Sequence, residues 1–216
     1  MTLGKEIILT TDEKLKELDG LLAERLTGKG FRRIKKMFYT RKQGACDQSV
    51  ILMPIKIRGR DQYTVDVYYG IVYEHVAKMV QYLQGRKSVP NERMAQNALT
   101  NLIKGPRPYV FYVDEQCNVE EIVTDILDKI DVFVEPIWRE NVSLEEFVKH
   151  VENQPRVFGF PQIEWIRLSM ALMKDSASYK EVIHQNQDLF NRPCNRAYME
   201  GLESRIQKYL DGEVHL

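Results

Sequence analysis

A change of hydrophobic period at Gly30 constrains this chain more than any other feature. Before it, Leu15, Leu18, Leu22 and Leu26 recur at steps of three and four. That spacing puts one apolar stripe on a helix over Asp12 to Leu26. Thr11 or Asp12 is placed to cap its start, and Gly28 and Gly30 stop it. After Gly30 the period falls to two. Phe31 to Arg41 mixes aromatics with cations, Ser49 to Ile57 is a dense apolar run, and Tyr63 to Tyr73 alternates through Val65, Val67, Tyr69 and Ile71. Short links, Gln43-Gly44-Ala45 and Arg58-Gly59-Arg60-Asp61, join the three. The pattern predicts an antiparallel meander, with Pro54 at an edge or a bulge.

Beyond Tyr73 the signals alternate less regularly. Glu74 to Leu83 and Asn91 to Ile103 suit short helices, and the Gly85–Pro90 and Gly105–Pro108 stretches break them. Tyr109 to Val113 reads as a fourth strand. Asn118 followed by Glu121, and Ser143 followed by Glu146, mark two helix starts, the first ending at Pro136. Pro155 to Pro161 is a linker, and three helices are expected after it: Ile163 to Met173, Tyr179 to Phe190 and Asn195 to Leu210. The order predicts an α+β fold: a small, mostly antiparallel sheet, a three-strand meander plus a fourth strand, flanked by helices. We divide the chain into an α+β domain over residues 1–155 and a C-terminal helical extension over 156–216.

Cysteine usage bears on the compartment. Cys46, Cys117 and Cys194 are far apart and odd in number, so free thiols in a reducing compartment are expected. Ile7 to Leu9 is too short an apolar run for a signal-peptide core, and no stretch approaches the ~20 apolar residues of a membrane span. The expected location is the cytoplasm.

The search for chemistry narrows the function classes. His75, His150, His184 and His215 have no metal-ligand spacing, so no metal and no cofactor is predicted. Neither a G-x-G-x-x-G nor a Walker-type loop occurs, nor a G-x-S-x-G elbow. Asp114-Glu115 and Glu120-Glu121 follow the fourth strand, where a solvated helix start explains them. Net charge is zero, but it is segregated. Phe31 to Tyr73 carries nine Lys or Arg against three Asp or Glu, and Asp114 to Lys149 carries three against eleven. The candidate binding residues are therefore Arg32, Arg33, Lys35, Lys36, Tyr39 and Arg41, on the basic aromatic strand. Cations can hold phosphates while aromatics stack bases. Equally, edge strands carry Lys and Arg to deter aggregation, and Phe31 and Phe38 suit a core.

The same residues carry a likeness. Gly30-Phe31, a basic link, Phe38-Tyr39-x-Arg41 and the later Val65-Asp-Val-Tyr-Tyr-Gly-Ile71 resemble bacterial proteins grouped as domain of unknown function 4304. In that family an amphipathic helix ends in Gly-Phe, and a basic link leads to Phe-Tyr-Arg; here Thr40 separates Tyr39 from Arg41. The resemblance spans about residues 12 to 150. It implies a compact bacterial α+β domain and assigns no catalytic residue. The leading expectation is a non-catalytic module that binds an unknown protein partner, of the accessory or immunity type. The alternatives are a nucleic-acid binder using residues 31–42, and an enzyme whose site is assembled from scattered residues.

Overall fold

The computed structural model describes residues 9–87, 93–105, 108–159, 161–175 and 178–216. Ile7 and Ile8 of the Ile7–Leu9 run, and parts of the three stretches around Pro90, Pro106 and Phe160, lie outside those residues. The chain forms two compact units. One comprises the chain to Gln43 together with Asp47–Gly70 and Gln96–Asn141; the other comprises Gly44–Cys46, Ile71–Ala95 and Val142–Leu216.

In the first unit, helix α1 (Thr11–Thr27) buries Leu15, Leu18, Leu22 and Leu26, the four residues its period picks out. Its cap is Thr10, one residue before the expected cap. The Thr10 hydroxyl accepts from the Glu13 N–H, and Glu13 reaches back to the Thr10 N–H at 2.8 Å. The expected first strand is two strands, β1 (Arg32–Lys35) and β2 (Phe38–Gln43). They pair antiparallel through Arg32↔Thr40, Arg33↔Tyr39 and Lys35↔Phe38. Met37 sits in the turn at φ 59°, a left-handed conformation that a residue with a side chain adopts only under constraint.

Strands β3 (Cys46–Lys56) and β4 (Tyr63–Val72) follow, and the sheet runs β1-β2-β3-β4-β5. Two residues link β2 to β3, which only antiparallel neighbours allow. The sheet is mostly antiparallel, and the protein is an α+β fold with a helical C-terminal region. Two corrections belong to the next segment. Residues expected as a helix over 91–103 form β5 (Ala95–Ala98) and a short 3₁₀ turn instead, and residues 91 and 92 are outside the description. Strand β6 (Phe111–Val113) pairs antiparallel with the start of β4 through Thr64↔Tyr112. Helix α3 (Val119–Lys129) is capped by Asn118, as its sequence predicts. It does not end at Pro136. A π-helical turn over Ile130–Val134 carries it into α4 (Glu135–Glu140). Proline lacks an N–H and crowds the preceding turn, and near a helix start that loss costs least.

The second unit holds α2 (Glu74–Leu83), α5 (Leu144–Asn153), α6 (Ile163–Lys174), α7 (Tyr179–Gln185), α8 (Gln187–Phe190), α9 (Arg196–Met199) and α10 (Leu202–Leu210). Gly201, at φ 70°, splits the single helix expected over Asn195 to Leu210. Met79 and Leu83 of α2 pack with Trp165, Leu168, Phe190 and Ile206 in one apolar core. Trp165 meets Phe190 edge to face at 5.1 Å. Among the described residues, no helix is long and apolar enough to cross a membrane.

Candidate functional site

The basic hairpin splits by face, because alternate residues of a strand point to opposite sides. Arg33, Tyr39 and Arg41 point to the side of α1 and α4. Asp19, buried on the apolar stripe of α1, gathers the first two. Its carboxylate pairs with Arg33, accepts from the Tyr39 hydroxyl, and accepts from the Met37 N–H at 2.8 Å. The Tyr39 hydroxyl is also 2.9 Å from the Asp19 carbonyl. This carboxylate thus holds the left-handed turn in place. Burial raises the Tyr39 pKa well above the ordinary tyrosine range, and the bond to Asp19 adds to it. Arg41 is enclosed too. Its guanidinium donates to Glu135 at 2.7 Å, to Gln48 at 2.6 Å and to the Lys29 carbonyl at 3.3 Å. It lies 4.6 Å from the Phe31 ring centre and 5.1 Å from that of Trp138.

Tyr39 and Arg41 therefore sit in internal networks, Arg33 stays exposed while it pairs with the buried Asp19, and Tyr39 has no exposed face on which to stack a base. Phe31 and Phe38 are buried as well. Arg32, Arg33, Lys35 and Lys36 are on the surface, Arg33 with its charge paired to Asp19. Asp19 and Glu135, the acids that take up the cations, were not among the candidates. Asp19 had a signal: it lies four residues after Leu15 and three before Leu22, so it falls on the apolar stripe.

On the sheet's other side Phe38 and Thr40 are covered, but one part of that face is exposed. Ile57 donates to the Gln62 carbonyl at 2.9 Å, and the Thr64 hydroxyl to the Ile55 carbonyl at 3.4 Å. With antiparallel pairing this sets Ile55 beside Thr64 and Met53 beside Asp66. Thr64 in turn faces Tyr112 of β6. Ile55, Thr64 and Tyr112 form one cross-strand row, with Met53 in the next. Met53 is 47% exposed, Ile55 55% and Tyr112 54%. Large apolar side chains grouped this way mark an interaction surface more often than scattered ones do.

A concave site lies within the second unit. A cleft of about 200 Å³ opens at the end of α2, lined on its polar side by Gln81, Gln84, Arg86, Arg93 and Gln162. The Gln84 amide donates to the Gln162 side-chain oxygen at 2.7 Å, and Gln84 accepts from Arg86 at 3.3 Å. None of these residues was singled out from the sequence. Among the described residues, no group of three or more His, Cys, Asp or Glu side chains is placed to share a metal ion. Compared with known proteins, the chain matches no family model, no curated protein and no solved structure.

Proposed function

We propose that the chain is a non-catalytic protein-binding module of the accessory or immunity type, acting in the cytoplasm. The likeness to domain of unknown function 4304 is part of this proposal. The reading rests on the open sheet row of Ile55 and Tyr112 beside Met53, a patch whose rings and aliphatic chains gain most when a partner covers them. The nucleic-acid reading is the weaker one, because Tyr39 and Arg41 are engaged inside the protein and the exposed Arg33 is paired with Asp19.

The test pairs the parent with an Ile55→Asp/Tyr112→Ala variant. Both positions are exposed, so the fold and melting temperature should be kept. A partner isolated with the parent, then purified and titrated back, should bind the variant about tenfold or more weakly, as loss of a central apolar contact predicts. Nucleic-acid binding at ~0.15 M salt is the opposing arm. Three phosphate contacts from Arg32, Lys35 and Lys36 give a log–log salt slope of only about −2.7. Sub-micromolar duplex binding, lost when those three become Gln, would replace this reading with the nucleic-acid one.

A further inference from the structure

The cleft at the end of α2 is built rather than incidental. Gln81 and Gln84 are at least nine-tenths buried, and both line it. A buried amide is costly unless its donors and acceptors are used. Here Gln162, Gln84 and Arg86 form a chain of hydrogen bonds, which fixes the amide orientation and holds the guanidinium against the wall. Arg93 also lines the cleft, and burial draws its pKa below the ordinary arginine value. Val80, Met94 and Ile166 add an apolar patch.

We propose that this cleft binds a small organic anion, with a carboxylate or phosphate head between Arg86 and Arg93 and a short carbon stem on Val80, Met94 and Ile166. Guanidinium groups suit this chemistry because their planar donors match the oxygens of either head in pairs. A guanidinium carries five donors, so one already bonded to the protein can also serve a ligand. The described residues of the lining include two guanidiniums and three amides and no carboxylate. An anion entering the cleft therefore meets Arg86 at its exposed rim and the half-buried Arg93, where attraction is screened less than at the surface. At about 200 Å³ the space is below the ~300–1,000 Å³ typical of drug-sized pockets, which limits the ligand to a few carbons.

The end of α2 raises an objection, since a helix C-terminus carries partial negative charge. Its carbonyls are already taken. Gln84, Gly85 and Arg86 donate back to Val80, Tyr82 and Gln81, each at 2.9 Å, around Gly85 at φ 66°. The Arg205 guanidinium donates to the Leu83 carbonyl at 2.8 Å and puts a full positive charge on the same end. The helix end is thus neutralised by Arg205, and Arg86 and Arg93 set the field in the cleft.

Titrating the full chain with inorganic phosphate or succinate, against chloride at equal ionic strength, tests the site. The side-chain N–H resonances of Arg86, Arg93, Gln84 and Gln162 should move and saturate. Phosphate alone moving them assigns a phosphate head, succinate alone a carboxylate head, and both a site that accepts either. Arg86→Gln should weaken binding about tenfold or more, the loss expected for one charge-assisted bond. Because that change also removes a partner of Gln84, the resonances of the unsubstituted protein are the primary readout. No saturable movement beyond the chloride control, movement confined to surface lysines, or full affinity in a folded Arg86→Gln variant would overturn the proposal.

Discussion

The two units bury polar groups in different ways. In the first, the buried network is ionic: Asp19 faces Arg33, and Glu135 faces Arg41. In the second it is built around amides. Asn195 is fully buried, accepts from the Trp165 indole N–H at 3.0 Å, and donates to Glu164 and to the Leu189 carbonyl at 2.8 Å each. A charge removed from water costs several kcal/mol and demands a matched partner, whereas an amide needs only its hydrogen bonds. Losing one partner should therefore damage the first unit more.

Asp19→Ala is the strongest way to break that comparison. It removes the acceptor of the Met37 N–H, the partner of Arg33 and one bond to Tyr39. It also frees one side of the left-handed turn, which keeps only its strand pairing and the Leu52 N–H bond to the Met37 carbonyl at 3.0 Å. We expect a loss of about 3–4 kcal/mol, from the Met37 N–H left without its acceptor and from the lost bonds of Tyr39 and Arg33, measured by urea unfolding. By contrast, Lys29→Gln, which removes a pair with Asp131 at the surface, should cost under ~1 kcal/mol. An Asp19→Ala loss no larger than that would show the network to be ornamental.

These two cases also show what could be read from the sequence. The stripe of α1 and the strands β3 and β4 were legible because period reports which face is buried. Asp19 was legible only as an exception on that stripe. Its partners were not, because nothing local says that Arg33 and Tyr39 fold back onto one carboxylate. The hairpin between β1 and β2 was missed for a related reason: Lys36-Met37 contains no glycine or asparagine, and its left-handed residue is stabilised from a distant helix. β5 was read as part of a helix because Met94, Ala98, Leu99 and Leu102 group at helical spacing, while pairing in the sheet decided otherwise. The cleft left a faint trace. Gln81 and Gln84 each follow an apolar residue, Ala77 and Val80, by four positions, so each falls on an apolar face of α2.

Asn195→Ala sharpens the comparison from the other side. It leaves the Trp165 indole N–H without its acceptor and Glu164 without a donor, inside a core closed by Phe190. Leaving buried groups unsatisfied predicts a loss of about 2–3 kcal/mol. Thermal melts of the two variants, run side by side, compare the networks directly. If Asn195→Ala equals or exceeds Asp19→Ala, the amide network is the stronger support and the contrast between the units fails.

The smallest effect separates burial from charge at two tyrosines, one in each unit. Burial is the first cause of the raised pKa at both Tyr39 and Tyr73. At Tyr39 the hydrogen bond and charge of Asp19 add to it. At Tyr73 the additional causes are Cys46, Glu146 and Glu145, and its hydroxyl donates to the Ser143 carbonyl at 2.7 Å. In the unfolded chain a tyrosine ionises near ~10. Below that pH both states hold the proton, and the contribution to stability is fully present. Above it the unfolded chain releases the proton while the folded protein retains it. Stability then falls as pH rises, by at most about 1.4 kcal/mol per pH unit for each phenol. At neutral pH both phenols are protonated in either state, so stability does not vary with pH through them. Asp19→Asn keeps an acceptor for Tyr39 but removes the charge, so Tyr39 should ionise at lower pH while Tyr73 is unchanged. Site-resolved NMR of the phenol carbons in the folded protein reads the two separately. Equal titration of Tyr39 in parent and variant would mean that burial alone governs it, and that the Asp19 charge does not extend to the buried phenol.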